Sequence, residues 1–228
     1  MMTNETVIPN LGVAAAEVRR RLRDAGVLTI SISGGPGAGK TALLEQMLRR
    51  LRKDFNVGVI VGNSKAERDL RRLQPAAHFV SGSPAGGLSA AHIRDQLDHG
   101  DIADLDVLFV EMGSDYTSLA TPDVGQNMRV SVFSVAAGDD KAVAIPHRVK
   151  TADLLLLNKM DLLPHVAFDP QVFRADVQRI NSAVPVIEVT ATRPDGVDPW
   201  ERWLRAAIAV HRLRGLKQSF RPTEMFLG

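Results

Sequence analysis

The stretch ISGGPGAGKTALLEQML, from Ile32 to Leu48, decides how the rest of the chain reads. An apolar run from Val27 to Ile32 leads into it and reads as a buried strand. Gly34 to Thr41 then fits G-x-x-x-x-G-K-[ST], the pattern of a phosphate-binding loop. Leu43, Leu44, Met47, Leu48 and Leu51 follow at helical spacing. Strand, glycine-rich turn and helix make an anion cradle. Gly34, Gly35, Gly37 and Gly39, with Pro36 and Ala38 between them, let the backbone turn its N–H groups inward. The helix starting near Lys40 aims the positive end of its dipole at the same place. Lys40 can reach β- and γ-phosphates, and the Thr41 hydroxyl can ligate Mg²⁺.

The chain has 228 residues, 45% hydrophobic and 24% charged, enough for one α/β domain with a sizeable core. The formal net charge is only +2, which argues against nucleic-acid binding as the main task. There is no cysteine, so disulfides, thiolate metal sites and cysteine nucleophiles are excluded. The N-terminus lacks a charged-then-apolar leader pattern, and no apolar run approaches the length of a membrane span. The expectation is a cytoplasmic protein with no nucleic-acid or membrane partner.

Residues 1–10 read as a loose tail. Leu11 to Ala25 reads as an amphipathic helix, stopped at Gly26 and lying on the sheet edge. After the loop and its helix, strands are expected at Asn56–Gly62, Ala77–Val80, Leu105–Val110, Val130–Ala136, Leu154–Leu157 and Pro185–Val189. Helices are expected at Ser64–Gln74, Ser89–His99, Phe173–Ile180 and Trp200–Arg214, with residues 215–228 as a peripheral tail. Strands alternating with helices predict a three-layer α/β P-loop NTPase fold, a mostly parallel sheet with helices on both faces, in one domain spanning residues 1–228.

A second motif, Asn158-Lys159-Met160-Asp161, follows the apolar strand at Leu154. Ligands of open α/β sheets bind at such carboxyl ends. The Asp161 carboxylate can accept from the N1–H and 2-amino group of guanine, and adenine offers neither. Lys159 can lie along the base, and Asn158 can tie this turn to the phosphate side. Thr190-Ala191-Thr192 follows the next strand, where a backbone N–H can meet the guanine O6. Glu111 ends the strand LDVLFV and can hold Mg²⁺ or position a water. Asp115, four residues on, can face the γ-phosphate.

Taken together, GGPGAGKT, FVEMGSDYTSLATP, FSVAAGDDKAVAIP and ADLLLLNKMDLLP resemble, in order and spacing, the nickel-insertion GTPases of hydrogenase and urease maturation, the HypB/UreG family. Ser134 to Pro164 is nearest the hydrogenase branch, and Glu111, Gly113 and Asp115 are similar to the urease branch. The resemblance implies a GTPase cycling between GTP and GDP with Mg²⁺. It also implies a homodimer when GTP is bound, and a client metalloenzyme or its accessory proteins as partners. Two departures stand out. Gly86 and Gly87 occupy the place of the hydrogenase branch's Cys-His pair, and the urease branch's Cys-Pro-His is also missing. Asn63 stands where the family usually has an acidic residue. His92, Asp95 and His99, at i, i+3 and i+7, can share a helical face as replacement ligands for Ni²⁺ or another transition metal, or form a solvated surface. His78 and His147 are further candidates.

Four readings follow: a GTP-switched metallochaperone with an altered metal site, a metal-free GTP-driven assembly chaperone, a small-molecule or protein kinase on the same scaffold, and a non-hydrolysing binding module in which Asn63 marks a silenced site. In the kinase, Glu111 or Asp115 would be the base.

Overall fold

The computed structural model describes residues 7–62, 67–83, 88–99, 102, 104–113 and 122–219. They build one seven-stranded sheet, in the order β3-β2-β4-β1-β5-β6-β7. The strands are β1 Leu28–Gly34, β2 Val57–Gly62, β3 Phe79–Gly82, β4 Val107–Met112, β5 Met128–Ser134, β6 Leu154–Asn158 and β7 Val186–Glu188. Every pairing is parallel. The central strands are buried on both faces, which is why they read as unbroken apolar runs rather than alternating ones.

The helices are α1 Val7–Asp24, α2 Lys40–Leu51, α3 Glu67–Leu73, α4 Ala90–His99, α5 Lys141–Ala144, α6 Pro146–Lys150, α7 Pro170–Ile180 and α8 Asp198–Ser219. One face of the sheet packs α2, α3 and α8 through Leu44, Leu48, Leu73, Trp200 and Leu204. On the other face α1 and α4 cover β2 and β4 through Val18, Leu22, Ile93 and Leu97, while α6 and α7 cover β5 and β6 through Val149, Phe173 and Val177. Between those two apolar clusters, β1 turns Thr29, Ser31 and Ser33 toward the second face, all buried.

Several boundaries differ from the sequence reading. Helix α1 begins at Val7 rather than Leu11, and packs on a face of the sheet through Val18 and Leu22, not on its edge. The third strand lies two residues later, because the N–H groups of Ala76 and Ala77 cap α3 at Leu73 and His78 is spent on Val57. Strand β5 stops at Ser134, whose Oγ accepts from the Ala136 N–H at 3.2 Å and starts a 3₁₀ turn. Helix α8 runs on to Ser219, through residues expected to belong to a tail.

The order of connections places β1 between strands reached in opposite directions, β4 on one side and β5 on the other. The crevice at its carboxyl end is where such sheets take ligands.

Candidate functional site

The loop after β1 turns on glycines. Gly37 and Gly39 have φ of +69° and +94°, and Gly39 is the left-handed residue just before α2. A Cβ on Gly39 would stand 2.4 Å from Asn158 Nδ2, so conformation and space both require glycine there. Lys40 opens α2, is 8% exposed, and donates from Nζ to the Gly34 carbonyl at 3.2 Å. Its ammonium therefore lies back along the loop, over the groups that would surround a phosphate.

Beside it, the Thr41 hydroxyl donates to Glu111 Oε1 at 2.8 Å. Glu111 is 6% exposed, and its Oε2 has no hydrogen-bond partner among the described residues. Burial pushes the Glu111 carboxyl above the ordinary glutamate range, against the opposing pull of the Thr41 hydroxyl and the Lys40 charge. A buried carboxylate with one free oxygen next to a threonine hydroxyl suits a hard divalent cation.

The end of β6 joins the two halves of the site. Asn158 is 1% exposed; its Nδ2 donates to the Ala38 carbonyl at 2.9 Å, and its Oδ1 accepts from the Ala191 N–H at 3.3 Å. One amide thus ties the glycine loop to the loop after β7. Lys159 has φ +65°, the only positive value on a non-glycine residue among the described residues. The Met160 N–H bonds the Val189 carbonyl at 3.3 Å and holds that turn. Asp161 is exposed, and its Oδ2 accepts from the Thr192 hydroxyl at 3.2 Å. Thr190 and Ala191 are buried. An open cleft of about 410 Å³ runs against Gly35, Pro36, Gly37 and Ala38, with Lys141, Arg148 and Lys159 also on its walls. Sequence reasoning gave Lys141 and Arg148 no role; nothing local marks either, since the cleft forms only when α5 and α6 fold back beside β5.

The structure thus gathers Lys40, Thr41, Glu111, Asn158, Lys159, Asp161, Thr190 and Ala191 at one end of the sheet. Asp115, Asn63 and the Gly86-Gly87 pair lie outside the described residues. His92 and His99 are not gathered. His92 Nδ1 lies 2.9 Å from Ser89 Oγ, and His99 Nδ1 lies 2.7 Å from the Asp95 carbonyl of its own helix. Asp95 turns to Arg94. Among the described residues, no group of three or more His, Cys, Asp or Glu side chains is placed to hold a metal. His78 accepts the Val57 N–H at 3.0 Å as a structural partner. Burial, and the charge of neighbouring Arg148, lower the pKa of His147.

A glycine cradle at the carboxyl end of the central strand, with a lysine, a threonine–glutamate pair and an asparagine bridge around it, defines the class: a P-loop nucleotide-binding fold. The CobW/HypB/UreG nucleotide-binding domain model matches residues 28–188, and the chain belongs to that family. It is 34% identical to the hydrogenase maturation factor HypB of Escherichia coli (strain K12) over 181 residues, which is 78% of this chain and 62% of that relative. The chain therefore spans less than two thirds of that protein's length. Among solved structures, HypB from Archaeoglobus fulgidus superposes with a TM-score of 0.80 at 28% identity, covering 88% of this chain and 99% of the other. HypB from Helicobacter pylori, crystallised in complex with nickel, also gives 0.80, at 25% identity, covering 89% and 97%. No helix among the described residues is long and apolar enough to cross a membrane.

Proposed function

We propose that this protein is a Mg²⁺-dependent GTPase, a single-domain cytoplasmic maturation factor that uses GTP hydrolysis to switch its association with a partner metalloenzyme or that enzyme's accessory proteins. The observation that carries the reading is the pair of hydrogen bonds made by Asn158, to the Ala38 carbonyl and from the Ala191 N–H, with Asp161 of the same turn accepting from Thr192. A site for any nucleotide needs the glycine loop. Tying that loop through one buried amide to a turn bearing an exposed carboxylate favours a base with two adjacent donors, which is guanine.

In this reading the loop N–H groups and Lys40 hold the β- and γ-phosphates and stabilise charge as it develops on the γ-phosphoryl oxygens. Thr41 and Glu111 would hold Mg²⁺, which supplies charge neutralisation between the phosphates. The free oxygen of Glu111 and its hydrogen-bonded neighbour fit that role. Asp115 is proposed to orient the attacking water. Lys159 flanks the base, Asp161 accepts from its edge, and the N–H groups of Thr190 and Ala191 border its carbonyl side. Likeness to hydrogenase maturation factors, one of them solved with nickel, supports a hydrogenase-like client and a transition metal as cargo. A homodimer formed with GTP bound is part of the same proposal.

The test is nucleotide selectivity joined to product analysis. Binding of GTP far above ATP, and release of free phosphate with no phosphorylated acceptor, is the expected result. Equal affinity for ATP and GTP would sink the guanine assignment, and a phosphorylated acceptor would make the protein a kinase. Equilibrium dialysis against Ni²⁺, Zn²⁺ and Co²⁺ with Mg²⁺ and GTP or GDP separates the two maturation roles. Metal retained only with GTP supports the metallochaperone, and no metal above background supports a metal-free assembly chaperone.

A further inference from the structure

The loop from Thr190 to Val197 is closed on itself at a narrow neck. The Thr190 N–H donates to the Gly196 carbonyl at 2.8 Å, Arg193 N–H to the Thr190 carbonyl at 3.2 Å, and Gly196 N–H to the Arg193 carbonyl at 3.2 Å. A Cβ on Gly196 would stand 2.2 Å from the Thr190 carbonyl oxygen, so the two sides of the neck are in contact. A loop this tight moves as a unit: displacing Pro194 at its tip displaces Thr190 to Thr192 at its base.

That tip is gripped from α2, the helix that begins at Lys40. Arg50, in the last turn of α2, donates to the Pro194 carbonyl. Its Nη1 lies 2.7 Å from Asp198 Oδ1 and 2.5 Å from Glu201 Oε2, both in the first turn of α8. The guanidinium is 25% exposed and spreads its planar fork over three acceptors that leave the loop in two directions. Glu201 is fixed in turn by Arg205 at 2.9 Å, and Arg205 reaches Asp54 beyond α2 at 2.8 Å. Burial would raise the Glu201 carboxyl, but the bonds from Arg50 and Arg205 outweigh it and hold it below the ordinary range.

We propose that Arg50 is a positioning residue for base selectivity: it fixes the loop carrying Ala191 and Thr192 to the same helix that carries the phosphate loop. The inference rests on the guanine-nucleotide reading above. Asn158 ties the base loop to the phosphate loop near the ligand, and Arg50 ties it to the far end of α2. Between the two anchors the Ala191 N–H and the Thr192 hydroxyl on Asp161 keep one geometry. With Arg50 gone, the Thr192–Asp161 pair loosens. The loss then falls on contacts to the guanine 2-amino group and carbonyl more than on phosphate contacts, which Lys40 and the glycine loop make independently.

The experiment is competition binding of GDP, IDP and ADP to the wild-type chain and to Arg50→Ala, with Arg50→Lys as the conservative variant, and steady-state GTP hydrolysis alongside. IDP lacks the 2-amino group and reports on Asp161. Arg50→Ala should weaken GDP by about tenfold and IDP by less, since IDP shares the carbonyl contact but has no 2-amino contact to lose, shrinking the GDP-to-IDP ratio, with the loss in hydrolysis falling on KM rather than kcat. Arg50→Lys should recover part of the ratio. An unchanged ratio in Arg50→Ala overturns the proposal. So does an equal loss for all three nucleotides with a lowered melting midpoint, which assigns Arg50 to the scaffold. If Arg50→Ala does not fold, Arg50→Lys and Glu201→Gln carry the same comparison. Wild-type protein that binds GDP and ADP equally would overturn the guanine reading itself. A guanine-selective wild type with an unaltered Arg50→Ala ratio overturns only the positioning role.

Discussion

At the carboxyl ends of β1, β4 and β6, side chains far apart in sequence meet. Thr41 reaches Glu111 across 70 residues, and Asn158 reaches Ala38 across 120. Along α4, His92, Asp95 and His99 stand three and four residues apart, and each is engaged by its own helix or an adjacent residue. Regular spacing on a helix puts side chains on one face but gives them nothing to converge on. Parallel strands end in a row, and their last residues point at the same crevice whatever their separation along the chain. The contrast says where chemistry is to be sought in this molecule, and it can be attacked from either side.

The largest effect is expected at the phosphate end. Lys40→Ala should lower single-turnover GTP hydrolysis by about 10²–10³-fold, because it removes a cation aimed where charge develops. The fold should survive, since Lys40 opens α2 at the loop and the core beneath it is built by Leu43, Leu44, Met47 and Leu48. Loss of folding, read by circular dichroism, would show that the lysine is structural. Asp161 comes next. Asp161→Asn replaces an acceptor pair with one acceptor and one donor, so GDP affinity should fall by about 10- to 100-fold, with xanthosine diphosphate, which carries a carbonyl at that position, favoured instead. Isothermal titration with both nucleotides checks the swap, and an unchanged preference would remove Asp161 from the base site.

How much of this was legible beforehand depends on the distance between the partners. The glycine loop is a local pattern, and Gly39 and Lys40 stand where the motif puts them. Asn158 and Asp161 are four letters at the end of an apolar strand, and parallel packing did the rest. Arg50 had no such signal: its acceptors Pro194 and Glu201 lie 144 and 151 residues away, and an arginine in the last turn of a helix reads as a solvated end. Strand ends were displaced where one side chain intervened, as Ser134 does at β5. Helices α5 and α6 left no trace, because four and five residues carry too little periodicity to be read.

A smaller and more diagnostic effect belongs to Glu111. Its folded-state carboxyl is held above the ordinary range, so it keeps its proton at pH values where an unfolded glutamate has lost it. Native stability from this group is fullest below the unfolded value and declines as pH rises toward the folded one. Without cation, Glu111→Gln should therefore unfold at a higher urea concentration than wild type at neutral pH, the opposite of its effect on function. Mn²⁺ affinity in the presence of GDP, read by electron paramagnetic resonance, should fall on acidification in the wild type and be weak and nearly independent of pH in Glu111→Gln. Equal stability of the two proteins, or equal Mn²⁺ affinity, would separate Glu111 from the cation.

The smallest effect is expected on α4. Ser89 Oγ accepts from the His92 N–H at 3.3 Å, and the Ser89 N–H points back at His92 Nδ1 at 3.3 Å. This is a reciprocal N-terminal cap with histidine in the place usually held by glutamate. His92→Ala should then cost about 0.5–1 kcal/mol of stability, read from the urea midpoint. His99→Ala, on an exposed last turn, should stay within about 0.5 kcal/mol. Neither should change Ni²⁺ retention in dialysis if α4 holds no metal. A loss of GTP-dependent Ni²⁺ in both variants would mean that a second protomer completes on this helix what one chain does not. The helix face would then behave like the strand ends, with convergence supplied by assembly instead of by the sheet.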